Sequence, residues 1–66
     1  MSSSDEADKA ILLEALKGHS QTFEELRRGL GQFTPRIRAA RLLEAMREEG
    51  LITQKLKGQY VVWELA

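Results

Sequence analysis

The sequence predicts an α+β fold in which three helices are followed by a β-hairpin. Three observations carry this expectation. Gly18, Gly31 and Gly50 divide the chain into three segments with helical spacing of apolar residues. The second and third segments open on recognisable helix-start signals, Thr22-Phe23-Glu24-Glu25 and Thr34-Pro35. Beyond Gly50 the pattern changes to two runs rich in β-branched and aromatic residues on either side of Gly58.

The first helix is expected over residues 5–17, after a flexible start at 1–4. Ser4 is the candidate N-cap, and Asp5 and Glu6 sit in the first turn, where negative charge suits the helix dipole. Ala7, Ala10, Ile11, Ala15 and Leu16, flanked by Leu13, supply its apolar spacing. The second helix is expected over 23–30. A threonine followed three residues later by glutamate is a capping box, and Phe23, Leu26 and Leu30 form one apolar face. The third is expected over 35–49, with Thr34 as N-cap, Pro35 at the first helical position, and Ala39, Leu42, Leu43 and Met46 on one stripe. The hairpin spans about 51–65 with Gly58 in its turn. Two short helices joined by a tight turn and followed by a hairpin give the order of a winged helix-turn-helix.

At 66 residues the chain has room for one domain. It has no cysteine and one histidine, His19, which removes a disulfide framework and argues against a structural zinc site. Packing must therefore hold the domain together. There is no glycine-rich phosphate loop, no arranged nucleophile and no convincing carboxylate pair, so the expectation is a non-enzyme with no cofactor and no evident small-molecule ligand. The polar, acidic N-terminus lacks the features of a signal peptide, and no apolar run reaches membrane length, so a cytoplasmic location is expected.

Net charge is zero, but its distribution is uneven. Between residues 26 and 43 lie Arg27, Arg28, Arg36, Arg38 and Arg41 and no acid; between 51 and 63 lie Lys55 and Lys57, again with no acid. These two blocks carry seven positive charges, which the rest of the chain balances. Such polarisation suits a binder of polyanions. On the helical wheel, Thr34, Ile37 and Arg41 face away from the apolar stripe, with Arg38 towards its edge. The expected partner is therefore double-stranded DNA, with the third helix in the major groove. Arg38 and Arg41, and secondarily Arg36, make the principal contacts. Arg27 and Arg28 hold the backbone from the second helix, Lys55 and Lys57 from the wing, and Thr34 with the free N–H groups at the helix start offers a phosphate site. Ile37 has two readings, contact with a thymine methyl or part of a protein interface.

Residues 38–52, Arg-Ala-Ala-Arg-Leu-Leu-Glu-Ala-Met-Arg-Glu-Glu-Gly-Leu-Ile, resemble the recognition-helix region of the winged-helix gamma domain of FtsK-type DNA translocases. That resemblance implies a DNA-reading role for Arg38 and Arg41. The family's asparagine position holds Ile37 here, the preceding connection is longer, and no motor domain accompanies the segment. A leucine pair, an acidic run, glycine and Leu-Ile before a hairpin are also similar to MarR-like and ArsR-like regulators.

Competing structural roles exist for these residues. Lysines on a hairpin also protect an edge strand from aggregation. Phe33, Tyr60 and Trp63 are expected to seal the core against the wing rather than stack on bases. The alternative function is a winged-helix protein-interaction module in a larger assembly or a homodimer, suggested by zero net charge, the acidic first helix and outward Ile37.

Overall fold

A computed structural model describes residues 3–66. Its elements are α1 (Ser3–Ala15), β1 (Gln21–Thr22), α2 (Phe23–Leu30), α3 (Arg36–Glu48), β2 (Ile52–Lys57) and β3 (Tyr60–Leu65). The strands form one antiparallel sheet in the order β1-β3-β2. The core is built from all three helices and both long strands: Leu12 and Leu16 of the first-helix segment, Leu26, Leu42, Leu43, Met46, Ile52 and Trp63.

The helix α2 has the expected bounds because both ends are specified locally. Thr22 Oγ1 accepts from the Glu25 backbone N–H, and the Thr22 N–H donates to Glu25 Oε1 at 2.9 Å, completing the capping box. The hydrogen bond from the Thr22 backbone holds the Glu25 carboxyl below its ordinary value. Thr22 also links helix and sheet. Its extended backbone (φ −80°, ψ 167°), required of an N-cap, lets it pair with Val62 as the last residue of β1. A Thr22→Ala variant is expected to lose about 1 kcal/mol of stability, read as a lower urea midpoint at unchanged slope.

The first helix departs from its expected bounds and face. Met1 and Ser2 of the expected flexible start lie outside the described residues, while Ser3 and Ser4 are already helical, so Ser4 is not the N-cap. The helix proper ends at Ala15 and tightens into a turn, with Lys17 N–H donating to Glu14 O, before Gly18. Its buried stripe runs through Leu12 and Leu16, with Leu13 and Ala15 partly covered, whereas Ala7, Ala10 and Ile11 face outward. Leu12 and Leu16, four residues apart and both buried, set this face. Asp8 and Lys9 occupy the turn above Leu12 on the inward side, each engaged by an ion pair to α3 or its C-cap (Asp8 with Arg38, Lys9 with Glu49), which makes a polar residue tolerable there.

The start of α3 also differs. The N-cap is Pro35, in extended conformation (φ −63°, ψ 143°) and without a side-chain capping bond, so Thr34 lies one residue outside the helix. Pro35 is itself extended rather than helical, so the helix begins one residue later than expected and Thr34 stands one position too early to cap it. The C-terminus closes as a Schellman motif: Leu51 N–H donates to Met46 O and Gly50 N–H to Arg47 O, both at 3.0 Å. Gly50 adopts φ 79°, the left-handed conformation this motif needs. Ala39, Leu42, Leu43 and Met46 are buried as the stripe predicts.

In the hairpin, Lys57 pairs with Tyr60 across a two-residue loop. Gly58 has φ 63° while Gln59 does not adopt positive φ, the pattern of a type II′ turn with glycine first. Directly opposed residues share a face. Ile52, Gln54 and Leu56 therefore lie with Leu65, Trp63 and Val61 on one side, and Thr53, Lys55 and Lys57 with Glu64, Val62 and Tyr60 on the other. Trp63 joins the core as expected; Tyr60 and Phe33 do not, being 68% and 88% exposed. Tyr60 stands at the wing tip, beyond the helices, and Phe33 lies in the turn closed by Thr34 N–H donating to Gly31 O.

Candidate nucleic-acid interface

The seven cations of the two basic blocks divide into two groups. The first is engaged within the domain. Arg27 is half-buried: Nη2 lies 2.8 Å from Glu24 Oε2, and Nη1 donates to the Thr34 carbonyl at 3.2 Å, tying α2 to the turn ahead of α3. Arg36 lies 3.4 Å from the other oxygen of Glu24 and 5.7 Å from the centre of the Phe23 ring. The hydrogen bond from Arg27, and then the charges of Arg27 and Arg36, hold the Glu24 carboxyl below its ordinary value. Arg38 reaches back to α1, with Nη2 3.0 Å from Asp5 Oδ1 and Nη1 2.6 Å from Asp8 Oδ2. Lys55 lies 3.2 Å from Glu64 on the same face of the hairpin.

The second group comprises Arg28, Arg41 and Lys57, which are exposed and make no ion pair among the described residues. They stand on α2, on α3 and next to the hairpin turn. A cation already paired gains less from a new anion than one facing water, because it must first give up its partner. The zero net charge thus conceals three uncompensated positive positions on the three elements that the sequence assigns to DNA.

Between α1 and α3 lies a groove of about 370 Å³. Ile37, Arg38, Arg41 and Ala45 line it from α3, and Asp5 and Lys9 from α1. Ile37 is 65% exposed, as its place on the wheel predicts. Thr34 is half-buried; its carbonyl is occupied by Arg27, and the N–H groups at the start of α3 have no side-chain cap.

Sequence reasoning placed Arg36, Ile37, Arg38 and Arg41 on α3, Arg27 and Arg28 on α2, and Lys55 and Lys57 on the hairpin, and each stands on its expected element. Pairing across α1 and α3 was not legible, since Asp5 and Arg38 are separated by 33 residues. Phe33 was missed as a surface group. Its position between two turn-forming glycine- and proline-containing segments was the available signal.

Among the described residues, no helix is long and apolar enough to cross a membrane. No family model matches the chain. No curated protein is similar to it at a significant level. Among solved structures, the chain is similar to the homodimeric winged helix-turn-helix DNA-binding domain of a possible ArsR-family transcriptional regulator from Mycobacterium bovis, with a TM-score of 0.78 and 18% sequence identity. The likeness covers 91% of this chain and 54% of that one, so this chain spans about half the length of its neighbour. With three helices followed by the β2–β3 hairpin, the fold of the chain is the winged helix-turn-helix.

Proposed function

We propose that this domain binds double-stranded DNA, as a transcriptional regulator or DNA-accessory factor, with α3 in the major groove. The observation that carries the reading is the set of uncompensated cations, Arg28, Arg41 and Lys57, one on each of the elements that surround a duplex in this fold. Arg41 is the base-reading candidate, because a guanidinium on the outer face of α3 can take guanine O6 and N7 together. Ile37 beside it offers an apolar surface for a thymine methyl. Arg28 and Lys57 hold phosphates on either side, with Lys55 and Arg36 at the margin. Arg27 and Thr34 position the turn, through the hydrogen bond they share. The similar M. bovis domain is described as homodimeric and DNA-binding, which supports both a duplex partner and a second copy of this chain.

The test is binding to a random-sequence duplex by fluorescence anisotropy across a salt series. Micromolar or tighter binding that falls steeply with salt is expected, because each neutralised phosphate releases a counterion. A second reading, a protein-interaction module, is favoured by exposed Phe33 (88%) and Ile37 (65%). It requires no duplex binding at low salt, and an association through these residues that salt barely changes.

A further inference from the structure

Arg38 is placed to be both an internal staple and a ligand for DNA. Its two terminal nitrogens address two separate carboxylates, Asp5 and Asp8, successive turns apart on α1. Two acceptor oxygens set before a planar guanidinium are also what a phosphate presents. The Asp5 pair is not sealed away: the Arg38 side chain is 36% exposed and that of Asp5 42%, whereas Asp8, at 19%, is the more covered anchor. An ion pair as open to water as the Asp5 one is weak and exchanges readily.

The groove supplies the route for exchange. Arg38, Arg41 and Asp5 line the same groove between α1 and α3, and Arg41 has no carboxylate of its own among the described residues. A duplex engaged by Arg41 brings its backbone phosphates up to the Asp5–Arg38 pair. We propose that Asp5 holds one end of the Arg38 guanidinium in reserve as a stand-in for a backbone phosphate, and that exchange of this carboxylate for the phosphate, with Asp8 still anchoring the other end, turns Arg38 into a DNA contact. This rests on the duplex-DNA reading and adds to it a built-in brake: the acidic start of α1 competes with DNA for a recognition-helix arginine. Arg38 is then spent on DNA only when a phosphate is delivered to the groove.

The experiment is a cycle in the full chain: Asp5→Asn, Arg38→Ala, and the combination, each checked by thermal unfolding and titrated with a random-sequence duplex. Asp5→Asn is expected to tighten binding about three- to tenfold when Arg38 is present and less than about twofold when it is absent. An equal gain in both backgrounds overturns the proposal, since the carboxylate then acts by plain repulsion of DNA. No gain, or a loss, with Arg38 present also overturns it. Should Asp5→Asn fail to fold, Asp5→Ser must show the same Arg38-dependent gain. If the wild type and every folded variant ignore DNA at low salt, the duplex reading falls and the brake with it; if the wild type binds and the cycle shows no coupling, only the brake falls.

Discussion

A Leu26→Ala variant is expected to lose most of its folded population at 37 °C. Leu26 is fully buried where α2 meets the rest of the core. Truncating a buried leucine costs about 2–5 kcal/mol, the spread reflecting how far the site can collapse. A domain of 66 residues has a total stability of order 3–10 kcal/mol at typical values per residue. No disulfide can compensate, because the chain has no cysteine. Circular dichroism on heating should show a broad transition shifted down by 10 °C or more, on the order of several degrees per kcal/mol. Ile11→Ala on α1 is the matched control. Ile11 is 42% exposed on the outward face and should shift the transition by far less.

The combined Arg28→Ala/Arg41→Ala/Lys57→Ala variant is expected to lose duplex affinity by about ten- to a thousandfold near physiological salt. Its plot of log affinity against log salt should flatten by roughly 2, about 0.9 for each of the two phosphate contacts removed with Arg28 and Lys57. None of the three forms a close ion pair among the described residues, and Arg28 acts on Glu24 and Glu25 only through space, so their removal breaks no ion pair and the fold should hold. Arg27→Ala is expected to behave in the opposite way. It takes the nearer of Glu24's two cation partners, leaving Arg36, and breaks the bond to the Thr34 carbonyl, so thermal stability should fall while the salt slope stays close to that of the wild type. Loss of affinity with an unchanged slope in the triple variant would place the interface elsewhere.

The elements with local instructions were legible in the sequence. The bounds of α2 follow from the Thr22–Glu25 box and Gly31, and the wing from the glycine of its turn. The buried stripe of α3 follows from its period. What escaped the sequence depends on groups far apart in the chain. β1 is two residues long and exists because Val62 and Trp63 of β3 lie alongside it. The face of α1 turns on Leu12 and Leu16, and it brings Asp8 and Lys9 to the inward side, where Arg38 and Glu49 meet them. The same pairing divides the basic residues into free and engaged, so the electrostatics of the candidate site emerges only in three dimensions. Phe33 and Tyr60 show the converse limit, because an aromatic side chain is buried only where another layer covers it.

Binding of a duplex across α2, α3 and the wing can be mapped by amide chemical shifts in NMR, with a short duplex titrated into isotope-labelled protein at low salt. Salt-sensitive shifts are expected at Arg28, at Ile37 to Arg41 and around Lys57 and Gly58, with the outer face of α1 at Ala10 and Glu14 unmoved. Shifts confined to that outer face, or no shifts at all, would rule out this binding surface.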